Sequence, residues 1–467
     1  FVYFFMFNFL IFSIILIPLI CFIFINILYI FHYDFIKYVL HFFLIFEFYL
    51  CIYCIILYID INIFNYIYIV SVYFLSFNII FGIDVISLYF ILLTSFLSCI
   101  CFLFSWSFNL FNFNYLFNNL LLIQQFLLNF IFFILDILIF YIFFECILIT
   151  LFILIGFFGT RVRKIRACFL LFIYTVFGSI LLLICILFLW ILLGNTYYFY
   201  LLLVDFDFDL QFYIWISFFL SFAIKVPMIP FHLWLPEAHV EAPTVGSVLL
   251  AGILLKLGTY GFLRFSLLLF PKISYFCLPL IYTFCLIGIF FSSFNAICQI
   301  DIKRIIAYSS IAHMNLILLG LFSFDLIGLV GSFLQMLNHG IVSGGLFLCI
   351  GILYDYYHTR LFKYYGGLFQ VMPIFSFFFL ILIFSNIALP GTCSFVGEFL
   401  IFLSFFSSNF FVILGGTFCM VLGGIYSLWL FNRICFGNVN IKFIYLFFDI
   451  DFLNIFIFII FTLYVIF

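Results

Sequence analysis

The sequence predicts an all-α, polytopic membrane protein with about 14 transmembrane helices. Of its 467 residues, 70% are apolar and only 7% are charged, whereas about 25% of the residues of a soluble domain are charged. Such a chain has too little polar surface to cover a fold in water. Apolar runs of about 20 residues, the length needed to cross a bilayer, recur along the chain, and its basic residues are concentrated in alternate loops.

Charged and turn residues delimit the predicted spans. The spans lie near 4–30, 38–58, 84–106, 118–136, 138–158, 167–193, 211–235, 243–264, 273–297, 304–323, 326–353, 372–403, 409–431 and 444–466. The stretch 62–83 is also apolar, but its alternating pattern and the turn at 82–84 favour a strand or an interfacial segment over a helix.

The distribution of basic residues supports this division. Loops that follow odd-numbered spans contain 11 of the 15 basic residues: Lys37, Arg161, Arg163, Lys164, Arg166, Lys303, Arg304, Arg360, Lys363, Arg433 and Lys442. Loops after even-numbered spans contain only Arg264 and Lys272, and one of them carries three acids at 205–209. By the positive-inside rule, the basic loops face the side equivalent to the cytoplasm and both termini face the other side.

Ionisable side chains also occur within the predicted spans. The isolated charges are Glu145, Lys225, Lys256 and Glu398. Each costs at least about 2.5–3.5 kcal/mol at the bilayer centre, so such residues indicate partners, a hydrated cavity or function. His313 and His339 lie in adjacent spans, and histidine is the residue type whose unperturbed pKa is nearest to neutral pH. An inert ion pair or hydrogen-bonded core histidines would explain any one of these residues. Stability alone does not explain the whole set, because apolar side chains of equal volume would often give the same stability.

Two of these spans carry proline near the charge. Lys225 precedes Pro227 and Pro230, and Glu398 follows Pro390. Proline removes a backbone donor and clashes with the preceding turn, so both spans are predicted to be broken helices. Broken helices at corresponding places in two halves are typical of transporters built from inverted repeats. Ordinary proline kinks are the alternative.

The chain lacks the common motifs for cofactors. It contains no GxGxxG, no GxxxxGK and no His/Cys cluster with metal-ligand spacing, so no nucleotide, phosphate or metal site is predicted. A net charge of −2 gives no electrostatic case for nucleic acid. The 15 cysteines lie scattered in apolar runs and are interpreted as small buried hydrophobes. Uphill proton transport would therefore need another ion or a partner to supply energy.

A 40-residue run then indicates a family. Residues 225–264 read KVPMIPFHLWLPEAHVEAPTVGSVLLAGILLKLGTYGFLR, with further runs FFECILI at 143–149, DIKRIIAYSSIAHMN at 301–315 and LPGTCSFVGEF at 389–399. Together they closely resemble the antiporter-like, proton-pumping subunits of the membrane arm of respiratory complex I, in the form of the NADH–ubiquinone oxidoreductase chain 4 family. The resemblance covers roughly 81–435. The acid at Glu398 and the LLKLGTYG run match chain 4, whereas antiporter-like subunits 2 and 5 carry lysine at the position of Glu398.

The resemblance implies a domain organisation and roles for the six residues. It implies N-terminal helices at 1–117, two inverted five-helix repeats at 118–264 and 273–431, and a C-terminal helix at 444–467. Glu145 would pair with Lys225, and Lys256 would relay protons through His313 and His339. Glu398 would pass the proton to the exit side. One departure is Thr150, where the family usually has proline; its loss is expected to straighten the helix and to keep the carboxylate of Glu145.

The resemblance also implies an activity and a location. The chain would be a proton-translocating subunit in the mitochondrial inner membrane, with its basic loops facing the matrix. NADH, FMN, iron–sulfur clusters and ubiquinone would bind to other subunits, and the partners would include antiporter-like subunits 2 and 5 and lipids. A subunit of an Mrp-type cation/proton antiporter is the main alternative, and a passive scaffold with a decayed channel is a third.

Overall fold

The apolar runs form helices almost throughout the part of the chain that the structure describes. The structure is a computed structural model, and it describes residues 2–29, 33–60, 68–74, 77–106, 114–406, 408–440 and 448–466. The chain divides into two compact units. The first comprises Phe1–Phe158 and Ser179–Phe206, and the second comprises Gly159–Gly178 and Asp207–Phe467.

The first unit contains the N-terminal helices. They are α1 (Val2–Leu28), α2 (Tyr33–Asp60), α3 (Val85–Ser105), α4 (Asn114–Phe133), α5 (Ile137–Phe158) and the short α7 (Tyr198–Leu203). Helix α6 (Lys164–Leu193) begins in the second unit and ends in the first. Ser87 caps the first turn of α3. Its hydroxyl accepts a hydrogen bond from the backbone N–H of Asp84 at 2.9 Å, a donor that has no partner within the helix.

A β-hairpin lies between α2 and α3. Strands β1 (Tyr68–Phe74) and β2 (Phe77–Ile83) pair antiparallel, with Val70 opposite Phe81. The backbone N–H of Leu135 donates to the carbonyl of Ile80 at 3.0 Å, so the hairpin is joined to the α4–α5 connection. The expectation of a strand in 62–83 is thus confirmed for these two segments, and 62–67 lies outside the described residues.

The second unit contains the remaining helices. They are α8 (Phe208–Lys225), α9 (Trp234–Glu241), α10 (Thr244–Leu269), α11 (Pro271–Phe276), α12 (Leu278–Cys298), α13 (Ile302–Leu321), α14 (Leu326–Tyr357), α15 (Leu368–Val371), α16 (Pro373–Asn386), α17 (Cys393–Phe406), α18 (Phe410–Cys435) and α19 (Phe452–Ile466). A 3₁₀ turn at Phe362–Tyr364 precedes α15.

The predicted spans agree with these helices. Among the described residues, 12 helices are long and apolar enough to cross a membrane. Shorter apolar helices account for the other two predicted spans: α16 and α17 are the two halves of 372–403, and α19 corresponds to 444–466. The all-α membrane fold is therefore confirmed. Some boundaries were wrong: α14 continues to Tyr357, α19 begins at Phe452, and α10 continues beyond Arg264 to Leu269 and buries that arginine.

Two further basic residues that the sequence analysis assigned to loops are buried. Lys303 donates to the backbone oxygen of Ala242 at 3.1 Å, and the guanidinium of Arg360 donates to the backbone oxygen of Val240 and to Oγ1 of Thr160. Both acceptor carbonyls lie at the end of α9, where unpaired carbonyls and the helix dipole attract cations. The first turn of α13 and the segment after α14 therefore pack against the end of α9. Lys442 lies outside the described residues.

A buried carboxylate that the sequence analysis missed holds α2 against α4. Glu47, which is inaccessible to solvent, accepts hydrogen bonds from the side-chain amides of Gln125 at 2.8 Å and Asn129 at 2.7 Å. Asn129 in turn accepts a hydrogen bond from Thr94 at 3.0 Å. This carboxylate in an apolar run carries the same sequence signal as Glu145, so the signal marks structural as well as candidate functional residues.

Replacing Glu47 by leucine is expected to destabilise the first unit. The change leaves two buried amide donors without acceptors, and each costs about 1–3 kcal/mol, so the free energy of unfolding should fall by about 2–6 kcal/mol. Glu47→Gln keeps one carbonyl acceptor and should cost less. Thermal unfolding of the purified assembly measures both, and equal stability of Glu47→Leu and the wild type would contradict the role of these bonds.

Candidate functional site

Lys256 occupies a distorted part of α10. The helix has π-type turns at Leu250–Leu254 and Phe262–Ser266, on either side of a regular segment. Within α10 the ammonium of Lys256 donates to the carbonyl of Ala251, five residues earlier. A π turn shifts the backbone pairing so that a carbonyl becomes available to a side chain. The local backbone therefore provides one partner for a lysine that is inaccessible to solvent.

The second partner of Lys256 is His339 on α14. Nζ of Lys256 lies 2.8 Å from Nδ1 of the imidazole. An ammonium donates to an unprotonated imidazole nitrogen at this distance, so the two side chains are in direct hydrogen-bond contact. His339 is 4% exposed, and its own backbone carbonyl accepts a hydrogen bond from Ser343 at 2.6 Å.

Glu398 and His313 form a second close pair. Nδ1 of His313 on α13 lies 3.1 Å from Oε1 of Glu398 on α17. The same carboxylate oxygen accepts a hydrogen bond from the amide of Gln335 at 3.0 Å. Gln335 precedes His339 by one helical turn, so both side chains project from one face of α14. Gly397 allows this approach, since a Cβ there would lie 2.7 Å from Oε1 of Gln335.

The two pairs lie next to each other. The ring centroids of His313 and His339 are 5.6 Å apart, a separation that one water molecule can bridge between ring nitrogens. Nε2 of His313 is buried and has no hydrogen-bond partner among the described residues. The four side chains therefore form a row in the order Lys256, His339, His313 and Glu398, which we call the titratable row.

The chain is interrupted beside the end of this row. Between α16 and α17, Gly391 has a φ of +94°, a conformation that favours glycine. Asn338 on α14 donates to the carbonyl of Cys393 at 2.7 Å, and Ser394 donates to the carbonyl of Ser385. These side chains satisfy carbonyls near the break, as a membrane-embedded break requires. The predicted broken helix before Glu398 is present.

The other predicted break follows Lys225. Helix α8 ends at Lys225 and α9 begins at Trp234, whose indole N–H donates to the carbonyl of Ile224 at 3.0 Å. Lys225 is 4% exposed and packs beside Gly258 on α10, where an added Cβ would lie 3.1 Å from Cβ of the lysine. Predicted near the middle of span 211–235, Lys225 in fact lies at the end of a helix.

Gly258→Ala should disturb this packing. The new Cβ would lie 2.6 Å from the side chain of Val226 and 3.1 Å from the carbonyl of Phe222. Overpacking of this kind costs about 1–3 kcal/mol, and here it also displaces Lys225. Thermal unfolding of the assembly and its proton transport measure the two effects.

Gly424→Ala is the matched control for that change. Its Cβ would meet Ile387 at 3.8 Å, an ordinary contact, and alanine is the better helix former. The control should be neutral or stabilising. Equal losses of stability and transport in both variants would contradict a specific contact at Gly258.

The structure divides the six predicted residues unequally. Glu145 lies half-buried on α5 in the first unit, and the other five lie in the second unit. Four of those five form the titratable row, and Lys225 marks the break after α8. Helix α5 continues without interruption through Thr150, as expected for a sequence without the family's proline. The pairing of Glu145 with Lys225 stays a prediction.

Sequence reasoning missed three groups at the site. Gln335 and Asn338 are uncharged, so they do not stand out in a search for charge, although their spacing places amides near His339 on α14. The carbonyl of Ala251 became a partner of Lys256 through a π turn, which composition does not signal. Among the described residues, no group of three or more His, Cys, Asp or Glu side chains could hold a metal ion.

Comparison with known proteins agrees with this arrangement. Residues 134–423 match the family described as NADH:quinone oxidoreductase/Mrp antiporter, transmembrane. NADH-ubiquinone oxidoreductase chain 4 of Acanthamoeba castellanii is 50% identical over 368 residues, which cover 79% of this chain and 74% of the relative. The corresponding protein of Arabidopsis thaliana is 48% identical over 378 residues, covering 81% and 76%.

A solved structure shares the fold over nearly the whole chain. A chain of respiratory complex I from Thermus thermophilus superposes with a TM-score of 0.85 at 25% identity, over 97% of this chain and 94% of that one. With the 12 candidate spans and the match to its central 290 residues, the sequence and the fold lead to one assignment. The chain belongs to the NADH:quinone oxidoreductase/Mrp antiporter family of membrane proteins, within which it groups with the NADH–ubiquinone oxidoreductase chain 4 proteins.

Proposed function

We propose that this chain is a proton-translocating membrane subunit of a respiratory NADH–ubiquinone oxidoreductase, and that protons cross it along the titratable row. The observation that carries the proposal is a pair of short contacts in the second unit. Nζ of Lys256 lies 2.8 Å from Nδ1 of His339, and Nδ1 of His313 lies 3.1 Å from Oε1 of Glu398. Lys256, His339 and Glu398 are buried, and the side chain of His313 is 12% exposed, so bulk solvent has little access to the row. The chain belongs with the NADH–ubiquinone oxidoreductase chain 4 proteins, and this relationship supports its assignment to that enzyme.

The first step is an exchange between Lys256 and His339. A protonated lysine donates to Nδ1 of a neutral imidazole across 2.8 Å. The carbonyl of Ala251 accepts a further hydrogen bond from the ammonium and so holds Nζ beside the imidazole.

The second step transfers the proton to Glu398. His313 lies between His339 and the carboxylate, and its Nδ1 is within 3.1 Å of Oε1. Because imidazole has two nitrogens, it can take a proton on one side and release one on the other. The amide of Gln335 keeps the carboxylate oriented without adding charge. The break before α17 places Glu398 beside irregular backbone, which favours exchange with an exit path.

We assign the energy supply to the assembly. In this proposal NADH, FMN, iron–sulfur clusters and ubiquinone are bound by other subunits, and this chain carries no redox chemistry. The relatives named as chain 4, together with 85 phenylalanines that suggest a U-rich organellar coding bias, support a place in the mitochondrial inner membrane. Antiporter-like subunits 2 and 5 are the expected neighbours. A change in charge at such a neighbour would shift the proton affinity of the row.

An Mrp-type antiporter subunit is the other candidate. A chain of the Mrp complex of Dietzia sp. has a TM-score of 0.82 at 19% identity, which indicates the fold alone. Purification separates the two functions. Co-migration with a flavin- and iron–sulfur-containing assembly and NADH-driven proton transport would support the oxidoreductase. Transport that requires Na⁺ and is independent of NADH would overturn it.

Glu145→Gln and Lys225→Ala test the proposed partnership of these residues. If Glu145 sets the proton affinity of Lys225, each change should reduce proton transport by an order of magnitude or more while the assembly persists. The measurement is the rate of NADH-driven proton transport in proteoliposomes, with the content of assembled complex as the reference. Normal transport in a fully assembled variant would contradict the assigned roles.

A further inference from the structure

A pocket lies on the basic-loop side of the second unit, away from the titratable row. Its volume is about 640 Å³. The 3₁₀ turn that contains Lys363, the last two turns of α18 and the segment 436–440 line it. A volume of this size accommodates a small organic group rather than a single ion.

The lining is positively charged. Lys363 and Arg433 enter from two separate segments, and both are exposed. Among the described residues, none forms an ion pair with either side chain, and none that lines the pocket is acidic. Asn432, Asn438 and Asn440 add amide donors. Two cations with surrounding amides suit a phosphate group, which accepts several hydrogen bonds at once.

The pocket lies at the boundary of a membrane span. Arg433 is in the last turn of α18, a candidate span. Trp429 is one turn earlier, 38% exposed, and its ring packs edge-to-face on Phe362 with centroids 4.9 Å apart. Tryptophan with arginine or lysine at the end of a span is typical of the headgroup region of a bilayer. The bound phosphate would therefore lie at the depth of lipid headgroups.

An apolar stripe on α18 continues from the pocket. Its members, spaced alternately four and three residues apart, are Leu414, Phe418, Val421, Ile425 and Leu428. Each is 42–59% exposed, and this spacing places them on one face of the helix. The stripe offers a surface along which acyl chains can pack beneath a headgroup. Binding of a free anion would not involve this apolar surface.

We propose that this pocket binds the phosphate headgroup of an anionic phospholipid, with the acyl chains packed along the stripe of α18. Lys363 and Arg433 neutralise the phosphate, and Trp429 positions the glycerol region. The geometry favours a lipid over free phosphate because the charged pocket and the apolar stripe adjoin on one helix. This lipid site is independent of the proton path.

The test uses the intact assembly. Complex stripped of lipid in detergent is incubated with phosphatidylcholine vesicles that contain or lack cardiolipin, and the retained lipid is identified by mass spectrometry. Wild-type assembly should retain one more tightly bound anionic lipid than Lys363→Gln/Arg433→Gln. The loss of two interfacial cations should weaken binding about 30-fold. The charge-keeping pair Lys363→Arg/Arg433→Lys should retain the lipid.

Arg163→Gln/Arg166→Gln is the matched control. It removes two exposed basic residues at the start of α6, which the sequence places on the same side. Retention equal to wild type in this control, with loss in the pocket variant, supports the proposal. Equal retention in all variants overturns it, and so does displacement of the lipid by inorganic phosphate, which would indicate a site for free anions.

A second measurement tests the site if Lys363→Gln/Arg433→Gln does not assemble. Wild-type complex is labelled with a photoreactive cardiolipin, and the modified peptides are sequenced. Labelling within 414–440 supports the site. Labelling of this chain only at other segments overturns it.

Discussion

Lys256→Arg is expected to slow proton transfer through this chain about 100-fold or more while the assembly still forms. The substitution keeps the positive charge and a donor for the carbonyl of Ala251. A guanidinium, however, does not lose its proton in proteins, so it cannot pass one to His339. The rate of NADH-driven proton transport per assembled complex in proteoliposomes measures the effect. The outcome separates a lysine that transfers protons from one that only supplies charge.

Lys303→Arg is the matched control for that prediction. Lys303 is also almost fully buried and also donates to a backbone carbonyl, that of Ala242. Within the part of the chain that the structure describes, no hydrogen bond joins it to His339, whose Nδ1 faces Lys256 instead. Its replacement should therefore leave proton transport near the wild-type value. Equal losses in the two variants would indicate that burial of any arginine, rather than loss of a titrating group, disturbs the chain.

Glu398→Gln should have an effect of similar size. Glutamine has nearly the same volume as glutamate, and its carbonyl oxygen can still accept the hydrogen bond from Gln335. It cannot take up a proton from His313, whose Nδ1 lies 3.1 Å from the carboxylate. We expect transport through the chain to fall about 100-fold with little loss of assembled complex. Glu398→Asp keeps a carboxyl group but places it farther from His313, because the side chain is one methylene shorter. This variant should retain intermediate transport.

Glu237→Gln provides the comparison for a carboxylate outside the row. Glu237 pairs with Arg304 at 2.8 Å, and both side chains are about 30% exposed. Partly exposed ion pairs contribute about 0–1 kcal/mol. Its replacement should therefore change neither assembly nor transport appreciably. Loss of transport in this variant, with normal transport in Glu398→Gln, would reverse the assignment of the two acids.

The sequence predicts the spans because their physical cause is local. A run of about 20 apolar residues must avoid water wherever it lies in the fold, and a proline interrupts a helix whatever its neighbours. The charges in these runs are conspicuous for the same reason. Lys256 and Glu398 could therefore be found without a structure, and the breaks before α9 and α17 could be placed within a few residues.

The contacts between spans have no such local signal. That Lys256 meets His339, and His313 meets Glu398, depends on how α10, α13, α14 and α17 pack together. The π turns of α10 arise from backbone pairing rather than composition. The burial of Arg360 could not be predicted for the same reason. The sequence assigns this residue to a loop, but the fold packs it against the end of α9.

The central claim is that the titratable row is continuous, and its weakest link is the 5.6 Å between the rings of His339 and His313. An experimental map of the intact assembly that resolves ordered water tests this link most directly. The proposal predicts a water molecule about 2.7–3.2 Å from a nitrogen of each ring, joining the two close pairs. An apolar side chain packed between the rings, with no water in reach of both, would contradict proton passage along the row.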